Sequence, residues 1–286
     1  MPRIRIVTDS TAHFPGPTFE NLESVVIAPM TIRCGAQSLV ENENNDISSA
    51  LPLFKDPARL PIADPPSEES LAKIYADLRR ESDQILSIHS SSHINAVSQN
   101  AHNASQRFLG RSDIQVIDSQ TFTAGLGLLV QAAADTAARG ADFDTVIRTV
   151  RGMIPRLYLV FAVDELTYLE HNGLITRSQA ILGTMLGIIT FLTMEDGSII
   201  PMEKVRTRAR GIEKVIEFVS EFTSIEHLAI MSNGGSTSDD CRILHDRLRN
   251  LYPSTPITIN PYGPSVATYV GPFSLGVVVL ETEEEL

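Results

Sequence analysis

Three apolar, strand-like runs of this sequence each end in a group of hydroxyl and carboxyl side chains. IRIVT (4–8) is followed by Asp9-Ser10-Thr11, QILSIH (84–89) by Ser90-Ser91-Ser92, and IQVI (114–117) by Asp118-Ser119. Ligands of open α/β sheets bind outside the carboxyl ends of the strands. We therefore expect these strand ends to line one polar crevice. The alternative is that Asp9, Ser10 or Thr11 only caps a following helix.

Asp9 and Asp118 are the candidates for catalysis in such a crevice. An enzyme that forms a phosphoaspartate at Asp9 would use a second acidic residue two positions further on, but this chain has Thr11 there. The G-x-S-x-G turn that holds the nucleophile of serine hydrolases does not occur in the sequence. His89 and His93 would suit a metal ion only on one helical face, whereas they lie across a strand-to-helix junction. We expect no catalytic residue, metal or cofactor; a hydrolase using Asp9 or Asp118 is the alternative.

The order of the elements that must position these side chains indicates an α/β protein. In residues 1–155, short apolar runs alternate with amphipathic stretches such as SLAKIYADLRRES (70–82), which is typical of crossover connections and a largely parallel sheet. From residue 156 onward, apolar runs and amphipathic stretches follow one another in a different order. In this second part, Asp196-Gly197 predicts a β-hairpin. We predict two domains, an N-terminal α/β domain (1–155) with a largely parallel sheet and a C-terminal mixed-sheet α/β domain (156–286).

Charge and cysteine content narrow the class of function. The chain has 23 basic and 35 acidic residues, a net charge of −12, which disfavours binding to nucleic acid and to anionic membranes. It has neither an apolar run of 18 residues nor a signal peptide, so we expect no integral membrane association. Cys34 and Cys241 form no CxxC motif. We expect a cytoplasmic protein without a disulfide framework.

Seven stretches, in order along nearly the whole chain, resemble the DegV family of fatty-acid-binding proteins. They are IRIVTDSTAHFP (4–15), APMTI (28–32), SSHINAVSQNA (91–101), VIDSQTFTAGLGLLVQAAA (116–134), VDELTYLEHNGLI (163–175), LGTMLGIITFLTMEDGSIIPMEKVRTRARGIEKV (182–215) and VGPFSLGVVV (270–279). The resemblance implies a non-enzymatic carrier whose two domains enclose one fatty acid at their interface. It also implies a partner in bacteria, a separate fatty-acid kinase that phosphorylates the ligand's carboxylate.

The resemblance also implies which residues surround the ligand. The head group is expected near Asp64, Ser91, Ser92, Ile94, Asn95, Arg206 and Tyr269. The acyl chain is expected in a buried tunnel near Met185, Leu186, Ile189 and Phe191, in the apolar stretch 180–193 that carries Gly183 and Gly187.

This chain departs from the family pattern at the expected head-group site. Its Ala63-Asp64-Pro65-Pro66 replaces a Thr-Ser-Gln-Pro-type loop, Ile94-Asn95-Ala96-Val97 replaces Leu-Ser-Gly-Thr, Tyr269 replaces a histidine, and Gly173-Leu174 replaces a Gly-Arg pair. An ionised Asp64 close to the site would repel a carboxylate. We therefore expect weaker binding of a simple fatty acid, or a preference for another head group. A carrier of a different lipid or elongated polar ligand is the remaining alternative.

Overall fold

A computed structural model describes residues 4–16, 21–42, 47–56, 58–183, 188–234 and 239–283 of the chain. The first sheet is parallel, with the strand order β2-β1-β6-β7. Its strands are β1 (Arg5–Asp9), β2 (Val25–Ala28), β6 (Gln84–His89) and β7 (Asp113–Asp118). A small antiparallel sheet in the order β4-β3-β5 contains β3 (Thr31–Cys34), β4 (Gln37–Val40) and β5 (Ile62–Asp64).

The second large sheet is mixed. Its order is β10-β9-β8-β13-β11-β12, and every pair is antiparallel except β11 with β12. The strands are β8 (Leu157–Val163), β9 (Ile189–Glu195), β10 (Ser198–Val205), β11 (Ile225–Ser232), β12 (Ile257–Asn260) and β13 (Leu275–Glu281).

Helices connect and cover the strands. In the first half they are α1 (Ile47–Ala50), α2 (Glu68–Leu78), α3 (Val97–Gln106), α4 (Thr123–Ala138) and α5 (Phe143–Met153), with 3₁₀ turns η1 (Leu22–Ser24), η2 (Leu51–Phe54) and η3 (Ile154–Arg156). In the second half they are α6 (Thr167–His171), α7 (Arg177–Gly183), α8 (Arg208–Val219), α9 (Asp239–Leu251) and α10 (Pro264–Val270). Ser67 and Asp142 cap α2 and α5 by accepting backbone N–H groups.

The helix α4 lies between the two large sheets. It contacts β1 and β6 of the parallel sheet and β8 and β13 of the mixed sheet. Its sequence is apolar nearly all round, as expected for a helix that is buried on every side. We call the apolar core around it the junction cluster; it includes Ile6, Leu86, Ile94, Leu126, Phe161, Leu192, Tyr269 and Val278.

A separate core covers the other face of the mixed sheet. We call it the outer cluster; it lies under α8 and α9 and includes Val160, Ile189, Phe191, Val215, Leu244 and Val277. The α/β class, with a parallel and a mixed sheet, is confirmed. The predicted boundary between residues 155 and 156 falls within η3, immediately before β8, and stays a prediction.

The hairpin of β9 and β10 touches the first half of the chain at its tip. Asp196 and Gly197 both have positive φ angles, 47° and 79°, as a type I′ turn requires, so the predicted hairpin is confirmed. The Ser91 hydroxyl donates to the Gly197 carbonyl at 2.7 Å. A Cβ on Gly197 would lie 2.5 Å from that hydroxyl oxygen. This tip therefore ties the mixed sheet to the loop after β6.

We predict that Gly197→Ala destabilises the protein more than Gly35→Ala, as measured by denaturant unfolding. Both glycines have positive φ, so both variants carry the cost of about 1–2 kcal/mol for an L-residue there. Only Gly197 is crowded, whereas a methyl group on Gly35 would have no neighbouring atom within 4 Å. Displacing the Ser91 hydrogen bond should add about 1 kcal/mol. Equal losses of stability in the two variants would show that the tip contact contributes nothing.

Candidate functional site

The carboxylate of Asp9 joins the ends of two neighbouring strands. It is completely buried and accepts hydrogen bonds from the backbone N–H and hydroxyl of Thr11 at 3.1 and 2.5 Å. It also accepts from the backbone N–H and hydroxyl of Ser90 at 2.9 and 3.3 Å, and lies 3.2 Å from Nδ1 of His89. Residues 10–16 form no helix, so the interpretation of Asp9 to Thr11 as a cap of an immediately following helix is wrong.

The surroundings of Asp9 stabilise its charge. Burial alone would raise the pKa of the carboxyl group, but hydrogen bonds from His89, Thr11 and Ser90 outweigh that effect and lower it. On its other side the His89 ring lies 2.7 Å from the Ser87 hydroxyl, and both side chains are buried. A nucleophile or base has to reach its substrate, and Asp9 has no exposed surface. Its position indicates a structural role.

The two histidines that the sequence places around three serines do not meet. Both ring nitrogens of His89 have protein partners, whereas His93 is exposed. Within the described ranges, no group of three or more His, Cys, Asp or Glu side chains is arranged to hold a metal ion.

Glu41 links the end of β1 to the start of α10. Its carboxyl group accepts from the Ser10 hydroxyl at 2.5 Å and from the backbone N–H of Ser265 at 3.0 Å. The side chain is buried and has no ion pair with a cation among the residues described. Burial raises its pKa, and the hydrogen bonds from Ser10 and Ser265 offset the effect only in part.

His13 is held as a neutral ring beside the same helix. Its Nδ1 lies 2.9 Å from the Thr11 carbonyl, which can only accept, so Nδ1 carries the proton. Nε2 accepts the backbone N–H of Gly263 at 2.6 Å. Desolvation lowers the pKa of His13 to about 4, although the Thr11 carbonyl and Asp9 act in the opposite direction. The imidazole therefore acts as a fixed hydrogen-bond bridge at neutral pH.

Tyr269 brings a hydroxyl group to the edge of the junction cluster. The side chain is 2% exposed, and its ring packs edge-on against Phe122 with centroids 6.4 Å apart. Its hydroxyl has no hydrogen-bond partner among the described residues. Asn95 lies close enough to lower its pKa, but the Asn95 amide donates to the Ser90 hydroxyl and accepts from the Val97 backbone. The hydroxyl is thus buried and unpaired.

Three predicted site residues lie in the surroundings of Tyr269. The Asn95 side chain lowers the pKa of the Tyr269 hydroxyl and the Asp64 carboxyl group raises it. Ile94, which is 7% exposed, belongs to the same junction cluster. The sequence suggested an unpaired carboxylate at Asp64, but this side chain has a partner. Arg33 on the neighbouring strand contacts it through two nitrogens, at 2.8 and 3.2 Å, on the exposed side of the small sheet.

The predicted serines are already engaged. The Ser91 hydroxyl donates to Gly197 at the hairpin tip. Ser92 is exposed, and its hydroxyl donates to the Asp118 carboxylate at 2.5 Å. These hydrogen bonds connect the ends of β6 and β7 to each other and to the hairpin.

Three further predicted residues, Ile189, Phe191 and Arg206, lie in other parts of the described structure. Ile189 and Phe191 pack in the outer cluster, on the opposite face of the sheet from Leu192. Arg206 is exposed and follows Val205, which pairs with Ile189 at the open end of the hairpin. The hairpin tip that touches Ser91 lies about 26 Å from Arg206, at roughly 3.3 Å per residue over about eight residue steps. Met185 and Leu186 lie outside the described residues.

Sequence reasoning missed Arg33, Glu41 and His13. Arg33 could have been found only from the register of β3 with β5, since no motif surrounds it. Glu41 and His13 stand in irregular segments, where neither strand nor helix periodicity assigns a direction to a side chain. None of the helices described is long and apolar enough to cross a membrane.

A family model described as "Uncharacterised protein, DegV family" matches residues 3–282. Similar curated proteins include a DegV domain-containing protein of Halalkalibacterium halodurans, 29% identical, covering 97% of this chain and 98% of that protein. A second DegV domain-containing protein, from Streptomyces coelicolor, is 30% identical, and the match covers 96% of this chain and 98% of that protein.

Solved structures of similar shape include a fatty-acid-binding DegV family protein of Thermus thermophilus, with TM-score 0.84 and 24% identity over 98% of this chain and 100% of that one. A second is the B3 protein of the Streptococcus pneumoniae fatty acid kinase, loaded with linoleic acid. It has TM-score 0.87 and 19% identity over 98% of this chain and 99% of that one. At these identities the likeness establishes the fold.

We predict that removing two buried tyrosine hydroxyls changes stability by different amounts. Tyr262→Phe should lower the free energy of unfolding by about 1–3 kcal/mol, because the Tyr262 hydroxyl hydrogen-bonds Gly271 and Ser274. Tyr269→Phe should leave it within about 0.5 kcal/mol or raise it, because that hydroxyl has no partner to lose. The measurement is denaturant unfolding of the purified protein. A large loss of stability in Tyr269→Phe would reveal a hydrogen bond within the protein.

We predict that His13 makes the protein less stable below pH 6.5. The unfolded chain takes up the His13 proton near pH 6.5, whereas the folded chain does so only near pH 4. Stability therefore falls by about 1.4 kcal/mol per pH unit between these values. As the pH falls from 6.5 to 4, the difference in unfolding free energy between wild type and His13→Gln should shrink by this amount per pH unit. Only the wild type has the His13 ring, whereas Asp9 and Glu41 are present in both proteins. Parallel stability curves would contradict the prediction.

Proposed function

Because this chain belongs to the DegV family, we propose that it is a non-enzymatic protein that binds the acyl chain of a long-chain fatty acid or related lipid between its two large sheets. The Tyr269 hydroxyl carries this proposal. It is a buried polar group without a partner among the described residues, and it lies at the edge of an apolar cluster to which both sheets contribute. A long apolar ligand with one polar end matches that combination.

The proposed polar end of the site comprises Asn95 and Tyr269, with Asp64 and its partner Arg33 at the rim. The acyl chain would run along the junction cluster from Ile94. Arg206, Ser91, Ser92, Met185 and Leu186 stay predictions drawn from the family resemblance. Ile189 and Phe191 are left out, because they pack on the other face of the mixed sheet.

Burial of an acyl chain supplies enough free energy for such a role without catalysis. Each CH₂ group removed from water contributes about 0.8 kcal/mol, so a chain of about 15 such groups gives roughly 12 kcal/mol before the costs of ordering. The proteins of similar fold from Thermus thermophilus and Bacillus subtilis are described as fatty-acid-binding. The buried position of Asp9 further supports binding over hydrolysis.

A fatty-acid kinase is the proposed partner. The support is that the structurally similar Streptococcus pneumoniae protein is the B3 protein of such a kinase and was obtained with linoleic acid. We further propose that the chain acts in the cytoplasm, where Cys34 and Cys241, both free thiols in this structure, would stay reduced.

The test of binding starts with native mass spectrometry of the purified protein, followed by organic extraction and identification of any lipid. Delipidated protein is then titrated with palmitate and oleate by calorimetry. We expect one lipid per chain. Protein that carries no lipid and binds neither fatty acid nor a neutral lipid of the same length would refute the proposal.

A matched pair of variants locates the acyl chain. Ile94 and Ile189 are 7% and 8% exposed but lie in the junction and outer clusters, respectively. We expect Ile94→Ala to weaken binding about fourfold for each CH₂ group of the ligand that it leaves unburied, and Ile189→Ala to change it less than twofold. If Ile189→Ala weakens binding more than Ile94→Ala does, the acyl chain lies against the outer cluster, beside Ile189, where the sequence predicted it. Thermal unfolding of both variants controls for loss of fold.

A further inference from the structure

One face of α10 carries two buried hydroxyl groups, those of Ser265 and Tyr269, which are 0% and 2% exposed. The Tyr269 hydroxyl has no hydrogen-bond partner among the described residues, whereas the Ser265 hydroxyl lies close enough to the Glu41 carboxyl group to lower its pKa. Residues four apart in a helix project from the same face. Thr8 and Thr123 also have unpaired hydroxyls, but they lie on separate elements. Because leaving a buried donor without an acceptor is unfavourable, the Tyr269 hydroxyl on this face marks a place that receives a polar group of a ligand.

Three carboxyl groups lie on segments next to α10. Glu41 accepts the backbone N–H of Ser265 at 3.0 Å, Asp9 is connected to Asn95 through the Ser90 hydroxyl, and Asp64 ends β5, which packs against α10. Burial raises the pKa of the Tyr269 hydroxyl most, these three carboxyl groups raise it further, and the Asn95 side chain lowers it. Only Asp64 of the three has an arginine partner. Arg33 is committed to it through two hydrogen bonds, so it is not free to neutralise an incoming anion.

Among the residues described, the other buried titratable groups near α10 add no uncommitted positive charge. His13 contacts Gly263 at the start of the helix, and its pKa lies well below neutral. His89 contacts Asp9 from β6. The helix α6, which packs against α10, contributes Glu170, partly buried, and His171, exposed.

We propose that this site binds the head group of its ligand uncharged, so that a fatty acid is held as the protonated carboxylic acid. This rests on the proposed function and specifies the chemical form of the ligand. A carboxylate placed among three carboxyl groups would be repelled, and like charges at one site favour the protonated form. The neutral acid offers an O–H donor to a carboxylate and a carbonyl that can accept from Tyr269, Ser265 or Asn95.

Three ligands with the same alkyl chain test the proposal: tetradecanoic acid, tetradecanamide and tetradecanesulfonate. Each is titrated into delipidated protein by calorimetry from pH 6 to pH 8. The fraction of neutral tetradecanoic acid falls about tenfold per pH unit in this range, so its apparent Kd should rise about tenfold per unit. The amide should bind with little pH dependence. The sulfonate, which stays anionic, should bind at least tenfold more weakly than the amide.

Two variants separate this role from a structural one. Glu41→Gln removes one carboxyl group but keeps an acceptor for the Ser265 backbone, and should strengthen binding of tetradecanoic acid at pH 8 by up to about tenfold, equivalent to one pKa unit. Tyr269→Phe should weaken binding of the amide by about 2–12-fold, the range of a typical hydrogen bond. Tyr262→Phe, whose hydroxyl bonds within the protein, should leave it unchanged.

The outcomes distinguish this inference from the proposed function. If tetradecanoic acid binds with no pH dependence and the sulfonate binds as tightly as the amide, the head group is bound as an anion. The inference is then wrong, while lipid binding stands. If none of the three ligands binds, both are wrong. Proton uptake close to one per molecule of acid bound, measured in buffers of different ionisation enthalpy, supports the inference.

Discussion

The buried carboxylate of Asp9 is the interaction on which the site depends. A charge without exposed surface is tolerated only when donors surround it, and here Thr11, Ser90 and His89 supply them. The Ser90 hydroxyl that donates to Asp9 also accepts from Asn95. This carboxylate therefore fixes both the ends of β1 and β6 and the loop that carries the amide beside Tyr269. Of the small polar residues after the first strand, Thr11 satisfies that charge, whereas Ser10 donates to Glu41.

Three acidic side chains near α10 are accommodated in three different ways. Asp9 is surrounded by donors, and its pKa is lowered. Asp64 stays partly exposed and pairs with Arg33. Glu41 has only the Ser10 hydroxyl and the Ser265 backbone among the described residues, so burial raises its pKa. The electrostatic character of the region is thus set by Glu41, the group with the least compensation. Because its partners lie just after β1 and on α10, it also holds the two halves of the chain in register.

Much of the architecture could be predicted from the sequence because it depends on local patterns. Apolar runs alternating with amphipathic stretches indicate crossovers in a parallel sheet, and Asp196-Gly197 suits only a tight hairpin. The pairing of Asp64 with Arg33 depends instead on the register of β3 and β5, which no local pattern specifies. The alternation of side chains along β9 puts Phe191 and Leu192 on opposite faces of the mixed sheet. It does not specify which of the two faces packs against α4. The tail residues were therefore placed by the glycine-spaced apolar stretch and the family resemblance. The two that the structure describes, Ile189 and Phe191, lie on the face that packs against α8.

The helix α4 has a kinetic consequence. The helix shares one apolar core with both large sheets. Moving the sheets apart would expose its apolar surface to water, which costs a free energy of about 25 cal/mol per Å². Separation of the two domains is therefore a slow route by which a bound molecule could enter or leave. If the proposed ligand lies beside this helix, it leaves through local fluctuations of the surrounding structure, whose free energies are smaller than that of global unfolding. Its residence time then depends on those fluctuations and not on domain separation.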